Sequence, residues 1–294
     1  MAVLNSRNDG PGWRQVLGHA LFTLLAALAW ANTSLPLPLR LLALVLYGAG
    51  LAFSFCAMHE CGHRTAFASR RPNDWIAWWA GVLSFYNADF YRRFHQWHHR
   101  YTHQPGLDPE LEQAPPASLA AYLLELTGLL WWLAKFRGHW SGLWGNFSGC
   151  PYISAELAPQ ISRSLRLQFL VYGLVLLLSF WGGNGFIFWY WLLPLALGQP
   201  ILRFVLLAEH GGCSFDADGL RNTRTTLTLA PLRLLMWNMP FHGEHHLYPS
   251  IPFHALGRAH GWLGPHLEQL GKGYLRVNAA FLRQPSLGAM PGQG

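Results

Sequence analysis

Four long apolar stretches constrain the fold of this chain more than any other feature of its sequence. They cover about residues 16–32, 39–58, 165–181 and 186–208. Each reaches the length of about 17–25 residues that an α-helix needs to cross a bilayer. The last two are halves of one apolar run divided by "GGNG" at 182–185, which predicts a tight turn between antiparallel helices. We therefore expect an all-α integral membrane protein with four transmembrane helices.

The composition agrees with a chain whose outer surface meets lipid. Hydrophobic residues make up 51% of the sequence and charged residues only 12%, about half the charged fraction of ordinary soluble domains. The net charge of +7 is not gathered into basic runs with polar recognition residues, so we expect no nucleic-acid partner. The four cysteines form no C-x-x-C pair, which indicates neither a disulfide framework nor a thiolate metal site.

The distribution of basic residues predicts the orientation of the spans. The two short turns that join paired spans carry only Arg40, whereas the N-terminus and the segments 59–164 and 209–294 hold nearly all other Lys and Arg. Positive residues favour the cytoplasmic side, so we expect both termini and both long segments to lie there. Residues 1–294 then form one membrane-embedded domain, with a cytoplasmic segment over about 1–15 and a flexible tail over about 272–294.

Two shorter apolar segments, 74–86 and 119–136, carry several tryptophans. They are typical of helices that lie in the membrane interface or dip into it. Whether 119–136 crosses the membrane stays open.

Histidines form the second unusual feature of the sequence. The segment "MHECGHR" (58–64) contains H-E-x-x-H, the signature of zinc peptidases. His59 and His63 are spaced i, i+4, which places both on one helix face where the second span ends. This short motif alone does not distinguish a peptidase from another metal protein.

Two further groups repeat this helical spacing. "HQWHH" supplies His95, His98 and His99, and "HGEHH" supplies His242, His245 and His246, while His210 ends the fourth span. All nine are predicted to converge at one membrane face. Nine imidazoles are too many for one tetrahedral zinc and suit two metals with four or five nitrogens each. Imidazole ligands permit Zn, Cu, Fe or Ni.

The order H-x-x-x-H, H-x-x-H-H, H-x-x-H-H over four spans resembles the membrane fatty acid desaturase superfamily, which also contains hydroxylases, ketolases and decarboxylating enzymes. The resemblance runs from about residue 53 to 259. It implies a cytoplasmic histidine-rich cap that holds two Fe²⁺ ions, which use O2 to attack an unactivated C–H bond. It further implies that the metal ligands are His59, His63, His95, His98, His99, His242, His245 and His246, with His210 as an additional ligand. Some desaturases carry an asparagine four residues before that last histidine, where this chain has Leu206.

Other polar and aromatic residues near the boxes are candidates for supporting roles. Metal-bound histidines usually donate their second ring N–H to a carboxylate or carbonyl. The carboxylates that adjoin or follow the boxes are Glu60, Asp108, Glu110, Glu209 and Glu244. His103 is expected beside the site rather than on the metal, and His19, His139, His254, His260 and His266 are expected outside it. Tyr86, Trp97 and Trp237 are candidates for lining the substrate site.

The predicted reaction is O2- and electron-dependent oxidation of a lipid or acyl chain, with insertion of a C=C bond favoured. Hydroxylation, ketone formation and decarboxylation to a terminal alkene remain alternatives. No cofactor motif for electron transfer is recognisable in the sequence, so we expect a separate electron donor of the ferredoxin, rubredoxin or cytochrome type.

An intramembrane zinc protease is disfavoured because the later spans carry no aspartate. Metal transport is disfavoured because the spans are almost wholly apolar.

Overall fold

The computed structural model describes residues 3–112, 116 and 118–283, and it is mainly helical. Two short strands, β1 (Thr225–Leu227) and β2 (Leu270–Lys272), pair in parallel. The helices are α1 (Asp9–Ala31), α2 (Leu37–Gly62), α3 (Arg70–Ser84), α4 (Ala88–Tyr101), α5 (Leu119–Leu126), α6 (Leu129–Leu143), α7 (Ala158–Trp181), α8 (Leu193–His210), α9 (Ala230–Leu235), α10 (His242–Leu247), α11 (Phe253–Leu263) and α12 (Tyr274–Arg283).

Within the described part of the chain, four helical segments are each long and apolar enough to cross a membrane. They are α1, α2, α7 and Phe188–His210, in which a π-helical turn at Phe188–Leu192 leads into α8. This agrees with the four predicted spans. Helix α7 leaves Leu174, Leu177 and Phe180 exposed, as expected for a surface that meets lipid tails. Helices α5 and α6, bent by 54°, form one broken span or a re-entrant pair, so the sequence prediction for 119–136 stays open.

Helix α2 is the centre of the bundle and packs against α1, α3 and α8. Its residues from 47 to 61 are buried, which removes the second half of the helix from lipid. At the crossing with α8, Gly48 and Gly198 bring the two backbones into direct contact, and a Cβ at either position would overlap the other helix. Small residues allow such close approach between membrane helices. The crossing holds the ends of α2 and α8 side by side.

Side-chain contacts fix helix α4 beside the end of α2. Asn87 caps α4 by accepting a hydrogen bond from the Phe90 amide at 3.0 Å, and its amide donates to Gln168 of α7 at 3.0 Å. Asp74 of α3 accepts hydrogen bonds from Arg64 at 2.8 Å and from Arg92 at 2.6 Å. The carboxylate thereby ties the residue just beyond α2 to α4.

The C-terminal region differs from the sequence prediction. Instead of a flexible tail from about residue 272, residues 274–283 form α12, which packs against α8. Tyr274 and Val277 are buried there, and Asn278 donates a hydrogen bond to the Phe204 carbonyl at 3.0 Å. The prediction failed because this short helix is stabilised by tertiary contacts. Residues 284–294 lie outside the described residues.

Candidate metal centre

The nine predicted histidines lie together in one cluster at the ends of α2 and α8. Helix α2 supplies His59 and its C-cap His63, α4 supplies three, α8 ends on His210, and α10 supplies three. The helical spacing within each box turns its imidazoles to one face, and the α2–α8 crossing brings the faces together. Residues nearly 190 positions apart in sequence thus meet.

The cluster divides into two groups of ring nitrogens. In the first, ligand atoms within 4.8 Å of one another come from His59, His63, His95, His99 and His245. In the second they come from His98, His210 and His246, and a third group of ligand atoms, from His95, His98 and Glu110, overlaps with both. His242 lies beside the second group, with its Nε2 3.2 Å from Nε2 of His210. With His242 counted, the two groups hold five and four histidines, and the binding of one metal by each group stays a prediction.

Several of these nitrogens are buried without a hydrogen-bond partner among the described residues. They are Nε2 of His59, His63, His98 and His246, and Nδ1 of His99, His242 and His245. Other pairs of nitrogens face one another directly, as Nε2 of His99 lies 2.9 Å from Nε2 of His95 and 3.1 Å from Nε2 of His245. Buried polar atoms are normally satisfied, so this arrangement fits bound cations.

Fixed hydrogen bonds orient the imidazoles. Nδ1 of His59 donates to Glu60 and Nδ1 of His98 donates to Asp108, both at 2.9 Å. Since carboxylates accept these protons, Nε2 of each ring keeps its lone pair for a metal.

Three partners were not predicted from the sequence. Nδ1 of His210 donates to the Asn222 carbonyl at 3.1 Å. The Thr102 hydroxyl donates to a backbone carbonyl and lies 3.1 Å from Nδ1 of His246, and the Tyr91 hydroxyl lies 3.3 Å from Nδ1 of His95. Tyr91 stands four residues before His95 on α4, a spacing that was visible in the sequence, whereas the contact of Thr102 with His246 joins distant parts of the chain. A backbone carbonyl such as that of Asn222 leaves no such signal.

The other predicted carboxylates differ in their contacts. Glu209 lies 3.4 Å from Nε2 of His242, and Glu110 lies 3.7 Å from Nε2 of His98. Glu244 instead contacts His260 and the Thr225 hydroxyl. Glu244 therefore makes no hydrogen bond to a box histidine among the described residues, and His260, expected outside the site, is the partner of this buried carboxylate; a supporting role of Glu244 stays a prediction. Helix α10 turns Glu244 away from its neighbours' imidazoles.

Burial sets the charge state of the box histidines outside the spans. It lowers the pKa of His95, His99, His242, His245 and His246 well below the usual value, and neighbouring imidazoles add to this effect. Burial also lowers the pKa of His98, but the charge of Glu110 and the hydrogen bond to Asp108 outweigh it and raise that pKa overall. Neutral imidazole is the form that binds metal, so five of these rings are ready to bind.

His103 lies beside the cluster, as expected. Its Nδ1 donates to the Ser214 carbonyl at 2.7 Å, and its backbone amide donates to Asp108 at 2.6 Å. Its ring stacks on Phe215 with centroids 4.3 Å apart. His103 therefore supports Asp108 rather than facing the converging nitrogens.

A cavity of about 360 Å³ adjoins the cluster. Its walls include His59, His95 and His98 on one side and Tyr86, Leu206 and Met239 on others. Of the three predicted lining residues, Tyr86 borders the cavity. Trp97 instead donates to the Leu107 carbonyl at 3.1 Å, and buried Trp237 packs against Phe253. Both tryptophans fill structural positions away from the cavity wall.

Comparisons with known proteins agree with this site. Residues 35–278 match the family model described as "Fatty acid desaturase". The chain is 24% identical over 250 residues to the sn-1 oleoyl-lipid 12-desaturase of Synechocystis sp., an alignment that covers 76% of this chain and 68% of that protein. It is 24% identical over 238 residues to the putative sphingolipid delta(4)-desaturase/C4-monooxygenase of Caenorhabditis elegans, covering 79% of this chain and 61% of that protein. A Picosynechococcus sn-1 oleoyl-lipid 12-desaturase is 32% identical over 137 residues, covering 44% of this chain and 38% of that protein. The chain thus aligns with about two thirds or less of the length of these relatives.

Proposed function

Since the chain belongs to the fatty acid desaturase family, we propose that it is a membrane-bound oxidoreductase that binds two iron ions and oxidises an unactivated C–H bond of a lipid acyl chain. The observation that carries this proposal is the convergence of nine histidines, in groups of five and four, on a cavity whose wall is partly apolar. Imidazole nitrogens are ligands that iron accepts. Bound iron would supply the O2-dependent redox chemistry.

The residues of the chain have four tasks in this proposal. The five histidines around His59 would hold one iron, and the four around His98 would hold the other. Glu60, Asp108 and the Asn222 carbonyl keep the Nδ1 protons of their histidines, so that Nε2 faces the metal. Phe55, Leu206 and Met239 form apolar wall around the acyl chain and exclude water from the reacting carbon.

Insertion of a C=C bond is the proposed outcome, and hydroxylation is the alternative. The names of several relatives carry both activities, as in sphingolipid delta(4)-desaturase/C4-monooxygenase. Both outcomes begin with removal of hydrogen from the same kind of carbon. The position of the acyl chain relative to the metals decides between them.

We place the metal centre and both termini on the cytoplasmic side. The N-terminus and the segments 59–164 and 209–294 carry nearly all basic residues, and basic residues favour that side. Electrons come from a separate carrier of the ferredoxin, rubredoxin or cytochrome type. The docking face of this carrier is expected to be acidic, because complementary charge would guide its association with the basic cytoplasmic face of the chain.

The test is mass spectrometry of lipids and volatiles from cells that express the protein, a His98→Ala variant, or a His266→Ala control. His266 is exposed and stands apart from the cluster. Loss of two hydrogens from an acyl chain supports desaturation, gain of one oxygen supports hydroxylation, and a terminal alkene indicates decarboxylation. The product must disappear in His98→Ala and persist in His266→Ala. If all three strains give identical lipids and volatiles, the proposal is wrong.

A further inference from the structure

Two cationic side chains share the cavity with the metal-centre histidines. Lys135 comes from α6 and Arg203 from α8, and both line the cavity wall. The Lys135 ammonium lies 4.4 Å from the centroid of the Tyr86 ring, and Arg203 donates a hydrogen bond to the Tyr86 hydroxyl at 3.0 Å. The Arg203 guanidinium also lies 5.5 Å from the ring centroid of Trp131. Tyr86 therefore holds both cations at one point of the wall.

This point is separated from the metal centre by a single layer of aromatic side chains. The ring of Phe55 lies 4.8 Å from that of Tyr86 and 6.1 Å from that of His59, measured between centroids. Tyr91 bridges the same gap, at 5.7 Å from Tyr86 and 5.0 Å from His95. A group bound by the cations would thus lie close to the histidine cluster.

Neither cation forms a close ion pair with a carboxylate of the described residues. No carboxylate of the described residues lies within 4.0 Å of either one, and Nε of Arg203 is buried without a hydrogen-bond partner among them. The carboxylates of Glu110 and Glu209 line the same cavity beyond ion-pair distance: Glu110 acts electrostatically on both cations and lies 3.7 Å from Nε2 of His98, and Glu209 acts on Arg203. Desolvated cations are costly unless they are paired, and the aromatic rings offset this cost only in part. An anion from outside the chain would form the close ion pairs that these two side chains do not make within the described residues.

We propose that Lys135 and Arg203 bind the carboxylate of a free fatty acid, so that the carbon attacked lies near the carboxyl end of the substrate. This inference rests on the proposed function, because it identifies the substrate class of the same site. Guanidinium binds a carboxylate through paired N–H groups, and the ammonium adds a second charge. Leu206, Leu207 and Met239 continue the cavity as apolar wall for the chain.

The size of the cavity favours a free acid over a membrane phospholipid. Ligand pockets measure about 300–1,000 Å³, and this cavity of about 360 Å³ lies at the lower end. One acyl chain with a compact head suits that volume better than a phosphodiester with two chains. A phosphate group shares the anionic oxygen chemistry, so the experiment must separate the two sources.

The experiment measures binding of radiolabelled hexadecanoic acid to the purified full chain in bilayer discs of uncharged lipid. Unlabelled hexadecanoic acid, its methyl ester and dihexadecanoyl phosphatidic acid serve as competitors. We expect the acid to compete at least tenfold better than either of the others. Lys135→Met and Arg203→Gln should each weaken binding by about ten- to a hundredfold, as expected for loss of a charged hydrogen bond.

Matched variants separate recognition from folding. Lys135→Arg and Arg203→Lys keep the charge and should retain most of the affinity, while Arg137→Gln alters an exposed cation on the same helix and should leave it unchanged. Equal competition by the methyl ester, or wild-type affinity in both Lys135→Met and Arg203→Gln, would overturn the inference. Stronger competition by phosphatidic acid would replace the free acid with a phospholipid.

A second measurement addresses the position of the attacked carbon. Saturated acids of three chain lengths should be modified at the same carbon counted from the carboxyl group. A position constant from the methyl end would contradict a carboxylate anchor. Binding of the acid without any oxidised product would leave this inference standing and count against the proposed function, so the two failures are distinguishable.

Discussion

At the scale of single residues, the site depends on which nitrogen of each histidine carries its proton. A ring whose Nδ1–H is held by an acceptor presents a lone pair at Nε2. Glu60, Asp108 and the Asn222 carbonyl impose this state on His59, His98 and His210. Asp108 is itself fixed, because it also accepts the backbone amides of His103 and Glu110 at 2.6 and 2.9 Å.

The first prediction concerns Asp108. Asp108→Asn removes the negative acceptor of His98 and should lower affinity for iron at the second group by about 10–100-fold, as for other outer partners of metal ligands. Elemental analysis of protein dialysed against limiting Fe²⁺ measures the loss. The control is Asp89→Asn, which also replaces an aspartate by asparagine, at a position on α4 that does not contact a box histidine. This variant should bind metal normally. An unchanged iron content in Asp108→Asn would contradict the orienting role.

Lys135 and Arg203 illustrate what sequence reasoning missed at this scale. Both stand in otherwise apolar stretches, "LLWWLAKF" and "QPILRFVLLAEH". An ionisable residue within an apolar helix is expensive and commonly functional. That signal was present in the sequence, but their common contact with Tyr86 required three separate elements to meet.

At the scale of elements, the crossing of α2 and α8 sets the distance between the histidines at their ends. Gly48 and Gly198 contact each other there without side chains between the backbones. Any side chain at this point would separate the helices and move His59 relative to His210. The metal centre thus depends on two glycines that never contact it.

The second prediction follows from this crossing. Gly198→Ala places a Cβ against the Gly48 carbonyl and should destabilise the protein by about 1–3 kcal/mol, the usual cost of overpacking. Thermal unfolding followed by circular dichroism in detergent measures the effect. Gly173→Ala on α7, where nothing lies within 4 Å of the added Cβ, is the control and should not lower the midpoint. A Gly198→Ala midpoint equal to wild type would show that the helices can separate at no cost.

At the scale of the whole molecule, the metal centre joins parts of the chain that are far apart in sequence. Helices α2, α4, α8 and α10 each supply ligand candidates, and the packing of these helices gathers nine imidazoles into one cluster. A cation bound by several elements stabilises the folded state because the unfolded chain has no preformed site. Metal binding and global stability are therefore linked.

The third prediction tests that link. Removal of metal with a chelator should lower the unfolding midpoint, and Fe²⁺ should restore it. Metal present at 100 times its dissociation constant contributes about 2.7 kcal/mol. A His63→Ala/His99→Ala variant, which lacks two candidate ligands of the first group, should respond less to chelation. Identical midpoints with and without metal in the wild-type protein would contradict a coupled site.

The four apolar helices and the histidine boxes could be predicted from the sequence, because helix length and i, i+4 spacing are local properties of the chain. The sequence also indicated nine converging imidazoles, since all lie near the same ends of the spans. The division of the nine imidazoles into groups of five and four became visible only in the tertiary structure. The same holds for the contact of Glu244 with His260 and for the packing of α12 where a loose tail was expected. The tertiary structure also decided that Trp97 and Trp237 lie away from the cavity and that Lys135 meets Arg203. These features depend on contacts between residues distant in sequence and on backbone carbonyls, neither of which leaves a periodic pattern in the chain.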